Sequence, residues 1–142
     1  GETTVVRDRS AAREAPRRLV QELTDLRQAM VVDLDESALA RLDEPGSPAA
    51  ERDRELVAEL RASGARYRGL RMTVRSVSLQ STSGDRAVVR TVVDESAYDV
   101  VGADGSRTSR SARRGQEVDL TLIWHDGAWR VRDVTAAPDR TD

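Results

Sequence analysis

Cysteine, lysine and phenylalanine are all missing from this chain of 142 residues. Without cysteine there is no thiol nucleophile, no thiolate metal site and no disulfide framework. Aromatic residues make up 3% of the chain. Aromatic-lined pockets and base-stacking platforms are therefore disfavoured, and a core must rest on Leu, Val, Ala and two Trp. No run approaches the roughly 20 apolar residues of a membrane-spanning helix, and no secretory apolar segment is present. An excess of positive charge is also lacking: the net charge is −2 and the sequence pI ≈ 5.6. Global electrostatics thus favour neither nucleic acid nor an anionic membrane as partner. All 23 basic residues are Arg. That uniformity reads first as codon bias of a GC-rich genome, since guanidinium clamping of anions requires clustering as well as abundance.

What is present has clear periodicity. Leu19, Leu23, Leu26 and Met30 recur as one face of a helix, with Pro16 near its start. Asp35 suits an N-cap, with Leu34 and Leu39 as a hydrophobic staple across it, which predicts a short helix to Leu42. Glu44 to Pro48 breaks that helix. Ser47 then caps a third, with Pro48 at its first position, Leu56, Val57 and Leu60 on its apolar face and Gly64 as its stop.

The remainder reads as strand. Leu70, Met72 and Val74 alternate with polar residues, and the apolar set then changes phase to Val77 and Leu79. A phase change within an unbroken strand marks a β-bulge, so the sheet should be strongly curved. Ala87 to Val93 reads as a strand covered on both faces. The clearest signal is Gln116 to Val134, where two alternating runs flank Asp126-Gly127, a tight-hairpin pair. A two-residue turn there sets Trp124 opposite Trp129, Leu122 opposite Val131 and Leu120 opposite Asp133. The expected class is α+β: N-terminal helices packed on the concave face of a curved antiparallel β-sheet of about four strands. One domain is expected over residues 10–135, with disordered tails over 1–9 and 136–142.

Helix, short helix, helix and bent sheet, closed by Leu122-Ile-Trp-His-Asp-Gly-Ala-Trp-Arg-Val-Arg-Asp-Val134, resembles the nuclear transport factor 2-like superfamily, also called cystatin-like or SnoaL-like cones. The matching positions are Asp126, Gly127, Trp129, Arg130, Val131 and Asp133. The Tyr67 to Gln80 strand and the Gly84-Asp85 turn also fit. Leu42 to Ser47 is too short for the small hairpin that many members carry there. The superfamily includes isomerases, cyclases, dehydratases and many non-enzymatic modules. Its extracytoplasmic domains of membrane-anchored bacterial proteins look closest.

Candidate sites follow from the hairpin. Asp133, on an apolar concave face, would have a raised pKa and could serve as a general base, as the resemblance to ketosteroid-isomerase-like members implies. Against this, it stands near a strand end, where a backbone N–H or an Arg would hold it. Tyr67 and Tyr98 are candidate ligand donors, or rim tyrosines with wet hydroxyls. His125, the only histidine, flanks the turn and should be solvated. Scattered carboxylates and one His make no metal site, and no cofactor motif occurs. Asp33, Asp35 and Glu36 are explained by helix capping. Arg107, Arg110, Arg113 and Arg114 form a basic hairpin without interleaved aromatics, which suits a solvated edge, with a protein-partner or anionic cell-surface contact as the alternative.

The leading expectation is therefore a non-catalytic binding or assembly module, with a protein partner or self-association favoured over a small molecule. No nucleic-acid contact and no membrane insertion by this segment are expected. The chain starts at Gly1 rather than Met, which suggests a preceding signal or anchor and an extracytoplasmic home, with the cytoplasm as the alternative. The rival expectation is a small-molecule-binding protein or isomerase-like enzyme, with Asp133 as base and Tyr67 or Tyr98 as donor. A homodimer through the outer sheet face, where Ile123 and Val134 are expected, remains open.

Overall fold

The computed structural model describes residues 4–137, which form four helices and seven strands. A one-turn helix α1 (Ala11–Glu14) ends at Ala15, whose backbone leaves the helical region, and Pro16 opens α2 (Pro16–Asp33). Leu19, Leu23 and Met30 of α2 are fully buried, as their spacing demands. Leu34 closes α2 in the left-handed region. Helix α3 (Glu36–Leu42) follows, its Asp35 cap accepting the Ala38 N–H at 3.1 Å. Ser47 caps α4 (Pro48–Ser63) through Ala50 N–H at 3.2 Å. Gly64 ends α4 at φ +72, where a Cβ would lie 2.8 Å from that of Ala103, so both conformation and space demand glycine.

The strands build two antiparallel sheets. The larger has the order β2 (Met72–Ser83), β3 (Arg86–Glu95), β6 (Arg113–His125), β7 (Ala128–Ala136). The smaller has the order β1 (Arg66–Arg68), β4 (Tyr98–Val101), β5 (Arg107–Arg110). The expected four strands correspond to the larger sheet. The smaller one was hidden because Gly69, at φ +84, cuts the Tyr67 strand away from β2. The phase change in β2 is a real bulge: the register slips between Val74 and Ser76, and again between Leu79 and Ser81. The sheet bends accordingly. Its concave face, carrying Val74, Ala87, Val89, Leu122, Trp129 and Val131, packs against the helices. No small hairpin intervenes between α3 and α4.

The final hairpin turns through Asp126 and Gly127, both at positive φ, and pairs Trp124 with Trp129 and Leu122 with Val131. The indole rings meet edge to face, with centroids 5.6 Å apart. The expected pairing of Leu120 with Asp133 is corrected. A bulge between Thr121 and Leu122 leaves Arg132 without a cross-strand partner, so Asp133 opposes Thr121 and Leu120 opposes Val134. The slip exchanges the two residues' faces: Val134 turns inward onto the core and Asp133 turns away from it.

The tail expected over residues 1–9 is also corrected from Thr4 onward. Val5 is 7% exposed, and the Glu22 carboxylate accepts hydrogen bonds from Thr4 Oγ1, Val5 N–H and Val6 N–H at 2.9–3.0 Å. Trp129 donates its backbone N–H to Val6 and its indole N–H to the carbonyls of Asp8 and Arg9. At the other end, Ala136 belongs to β7 and Ala137 N–H reaches Glu117, whereas residues 138–142 lie outside the described part.

Candidate functional site

Between the concave face and helices α2 and α4 lies a half-open cavity of ≈ 420 Å³. Leu23, Leu42, Leu56, Val93, Val118 and Leu120 supply much of its apolar wall, and Val134 joins them through the β7 bulge. The polar groups are Thr24, Thr91, Arg27, Arg52, Asp53, Glu95 and Gln116. Apolar walls with a few convergent polar groups are the usual composition of a small-molecule site.

The unusual chemistry lies where α3 ends. Past Leu42 the backbone becomes extended, Asp43 bridges in parallel to Val131, and Glu44 N–H donates to the Val131 carbonyl at 2.9 Å. This stitching to β7 drives the Asp43 side chain inward, to 1% exposure. Neither of its carboxyl oxygens has a hydrogen bond of ordinary geometry among the described residues, nor does Thr91 Oγ1. Asp53, 5% exposed on the α4 face with Ala49, Ala50 and Val57, stands beside Asp43.

Burial, together with the Asp53 carboxylate that accepts its proton and repels its charge, pushes the Asp43 carboxyl up to about 8. Arg27 and Arg52 pull the other way without cancelling this. At neutral pH Asp43 therefore carries a proton while Asp53 pairs with Arg27 at 3.1 Å. A protonated carboxyl gains a donor that a carboxylate lacks. Asp43, Asp53, Thr91, Arg27 and Arg52 are the residues sequence reasoning missed. One signal was available: Asp53 interrupts the apolar stripe of α4, as Thr91 does the inward-facing set of β3.

The expected sites stand elsewhere. Asp133 pairs with Arg52 at 2.5 Å and accepts the Val134 N–H at 2.9 Å. The Arg52 hydrogen bond holds its carboxyl below the ordinary carboxylate range. The raised pKa expected for it is thus corrected, because the bulge carries it off the apolar face to a cation. Tyr67 and Tyr98 pair across β1 and β4 with centroids 5.0 Å apart. Neither lines the cavity, and the structure does not bring them together with Asp133. Burial raises the Tyr98 hydroxyl, with Tyr67 and Glu95 adding to it. His125 is half-exposed at the hairpin end. No group of side chains among the described residues is arranged to hold a metal ion.

No family model and no curated protein matches this sequence. Solved structures do. The intermembrane space region of chloroplast protein ARC6 superposes with TM-score 0.64 at 16% identity, covering 83% of this chain and 92% of that one. The Kfla4162 protein from Kribbella flavida gives 0.60 at 14% identity, with coverages of 87% and 90%. The association domain of C. elegans CaMKII gives 0.56 at 16%, with coverages of 90% and 99%. The chain has the nuclear transport factor 2-like fold. At such identities the likeness is one of architecture, and the cone's role must be argued from its own residues.

Proposed function

We propose that this nuclear transport factor 2-like domain is a non-catalytic binding module whose cone holds a small ligand with an apolar body. The carrying observation is the half-open apolar cavity with an unpartnered buried atom, Thr91 Oγ1, on its wall, and with Asp53 on that wall backed by the buried Asp43 carboxyl. Non-catalytic is preferred because two of the acid–base candidates are held in ion pairs, Asp53 with Arg27 and Asp133 with Arg52. An enzyme reading would have to move from Asp133 to the Asp43–Asp53 pair. The test is a titration of the isotope-labelled domain with n-hexanol, followed by amide chemical shifts. Shifts confined to the cavity residues, and lost when Val118→Phe fills the space, support the reading. Cavity amides that do not respond to any apolar probe refute it.

A second reading, self-assembly, rests on the convex face. Register places Val88, Val92 and Ile123 there, half-buried and outside the core, among Ser76, Ser78 and Thr121. Arg90 spans the same face to Asp119 at 3.0 Å and to Glu117 at 3.7 Å. An ion-paired apolar strip suits a partner sheet, and the fold serves in the kinase association domain named above. A concentration-dependent dimer that Val92→Arg dissociates at least tenfold in sedimentation supports this, and a monomer at every concentration refutes it. An extracytoplasmic, membrane-anchored or secreted setting in a bacterium is part of the same proposal. A full reading frame with an apolar helix or lipobox ahead of Gly1 would support it. No described helix is long and apolar enough to cross a membrane.

A further inference from the structure

The charges around the cone do not balance. Four carboxyl groups, Asp43, Asp53, Glu95 and Asp133, stand in or beside it, with two guanidinium groups, Arg27 and Arg52. Arg27 is taken by Asp53 and Arg52 by Asp133. Asp43 has no ion pair among the described residues, and Glu95 has Arg113 opposite it in the β3–β6 register. Two further cations on the elements around Asp43 are already paired. On β7 Arg132 binds Glu44 at 2.8 Å, and on α4 Arg61 binds Glu36 at 2.8 Å. Arg54 and Arg61 line, together with Asp43 itself, a second groove between α3 and α4, and neither guanidinium hydrogen-bonds its carboxyl oxygens.

A buried carboxyl pair with one cation too few must take up a positive charge or a proton. Without a ligand it holds a proton. We propose that the cone's ligand is an amine: a protonated primary or secondary ammonium on an apolar body, whose N–H groups bond Asp53 and Thr91 Oγ1 and whose charge displaces the proton of the carboxyl pair. This rests on the binding reading above and names its ligand class. Three features select an ammonium. Thr91 is 1% exposed and on the cavity wall, and its Oγ1 is unpartnered, so it is a ready acceptor. The wall has no aromatic side chain, so a quaternary cation would lack the cage it needs, whereas N–H donors suit carboxylate and hydroxyl oxygens. The metal alternative fails for want of a ligand cluster among the described residues.

The experiment uses the whole chain with n-hexylamine, n-hexanol and n-hexanoate, each titrated at pH 6 and pH 7 and followed by amide chemical shifts. Hexylamine is expected to bind at least tenfold more tightly than either other probe. Its apparent affinity should rise about tenfold between the two pH values, because one proton leaves the protein as the ammonium enters. In Asp43→Asn the pH dependence and the preference for the amine over hexanol should both vanish. Unfolding of that variant is guarded against by its own shift spectrum, and Thr91→Val, which removes only the acceptor, should weaken hexylamine more than hexanol. Hexanol or hexanoate binding as tightly as the amine overturns the ligand class and leaves the cone as a binding site. No binding by any of the three overturns both.

Discussion

Replacing Asp43 by Asn isolates the buried acid without changing side-chain shape. In the native domain burial and the Asp53 carboxylate push the Asp43 carboxyl up to about 8, against 3.8 for an ordinary Asp. Between those values the folded state holds a proton that the unfolded chain has released. The unfolded state thus binds fewer protons, and stability falls as pH rises through this window. One such group gives a slope approaching about 1.4 kcal/mol per pH unit. From pH 5 to pH 7 the native domain should therefore lose about 2–3 kcal/mol that the Asn variant keeps. For a chain of this size that is a melting-temperature difference of roughly 5–15 °C. The window is clean of the other shifted carboxyls: Glu44, Asp104 and Asp133 are all lowered, so their contributions are complete above pH 5 and vanish only in acid. Urea unfolding at half-unit pH steps measures both slopes. Equal slopes for the two proteins would mean that Asp43 is ionised in the fold, and the argument from burial would fail.

Three further outcomes follow from particular contacts. Trp129→Ala, at a side chain 3% exposed, should cost about 3–5 kcal/mol, and hydrogen exchange should show residues 4–9 loosened first, since the indole N–H ties them down. Glu22→Gln should cost about 1–3 kcal/mol by weakening three charge-assisted hydrogen bonds, with amide protection lost at Val5 and Val6 but kept in β6. Arg52→Gln should raise the Asp133 pKa toward the ordinary value, seen by carboxyl carbon titration. Native Asp133 stabilises the fold above the unfolded pKa and loses that contribution as pH falls through its lowered one, so the variant should be less sensitive to acid. An Asp133 titration unchanged by the substitution would remove the ion pair from the account.

Local rules carried the sequence far because they act over a few residues. The caps at Asp35 and Ser47, the stop at Gly64, the bulge near Val74 and the Asp126-Gly127 turn each depend on neighbours along the chain. Each was legible, and together with the Trp124–Trp129 pairing they specify the cone. The candidate site was not legible, because nothing local places Asp43. It follows α3 by one residue and looks like a solvated C-cap. Only the bridge to Val131, 88 residues later, turns it inward beside Asp53. The slip at Arg132 worked in the opposite sense. A two-residue period continued without interruption put Asp133 on the concave face, and one extra residue in β7 exchanged it for Val134. Backbone conformation is decided by short-range sterics, but burial of a charge is decided by which distant elements close over it, and only the folded chain settles that.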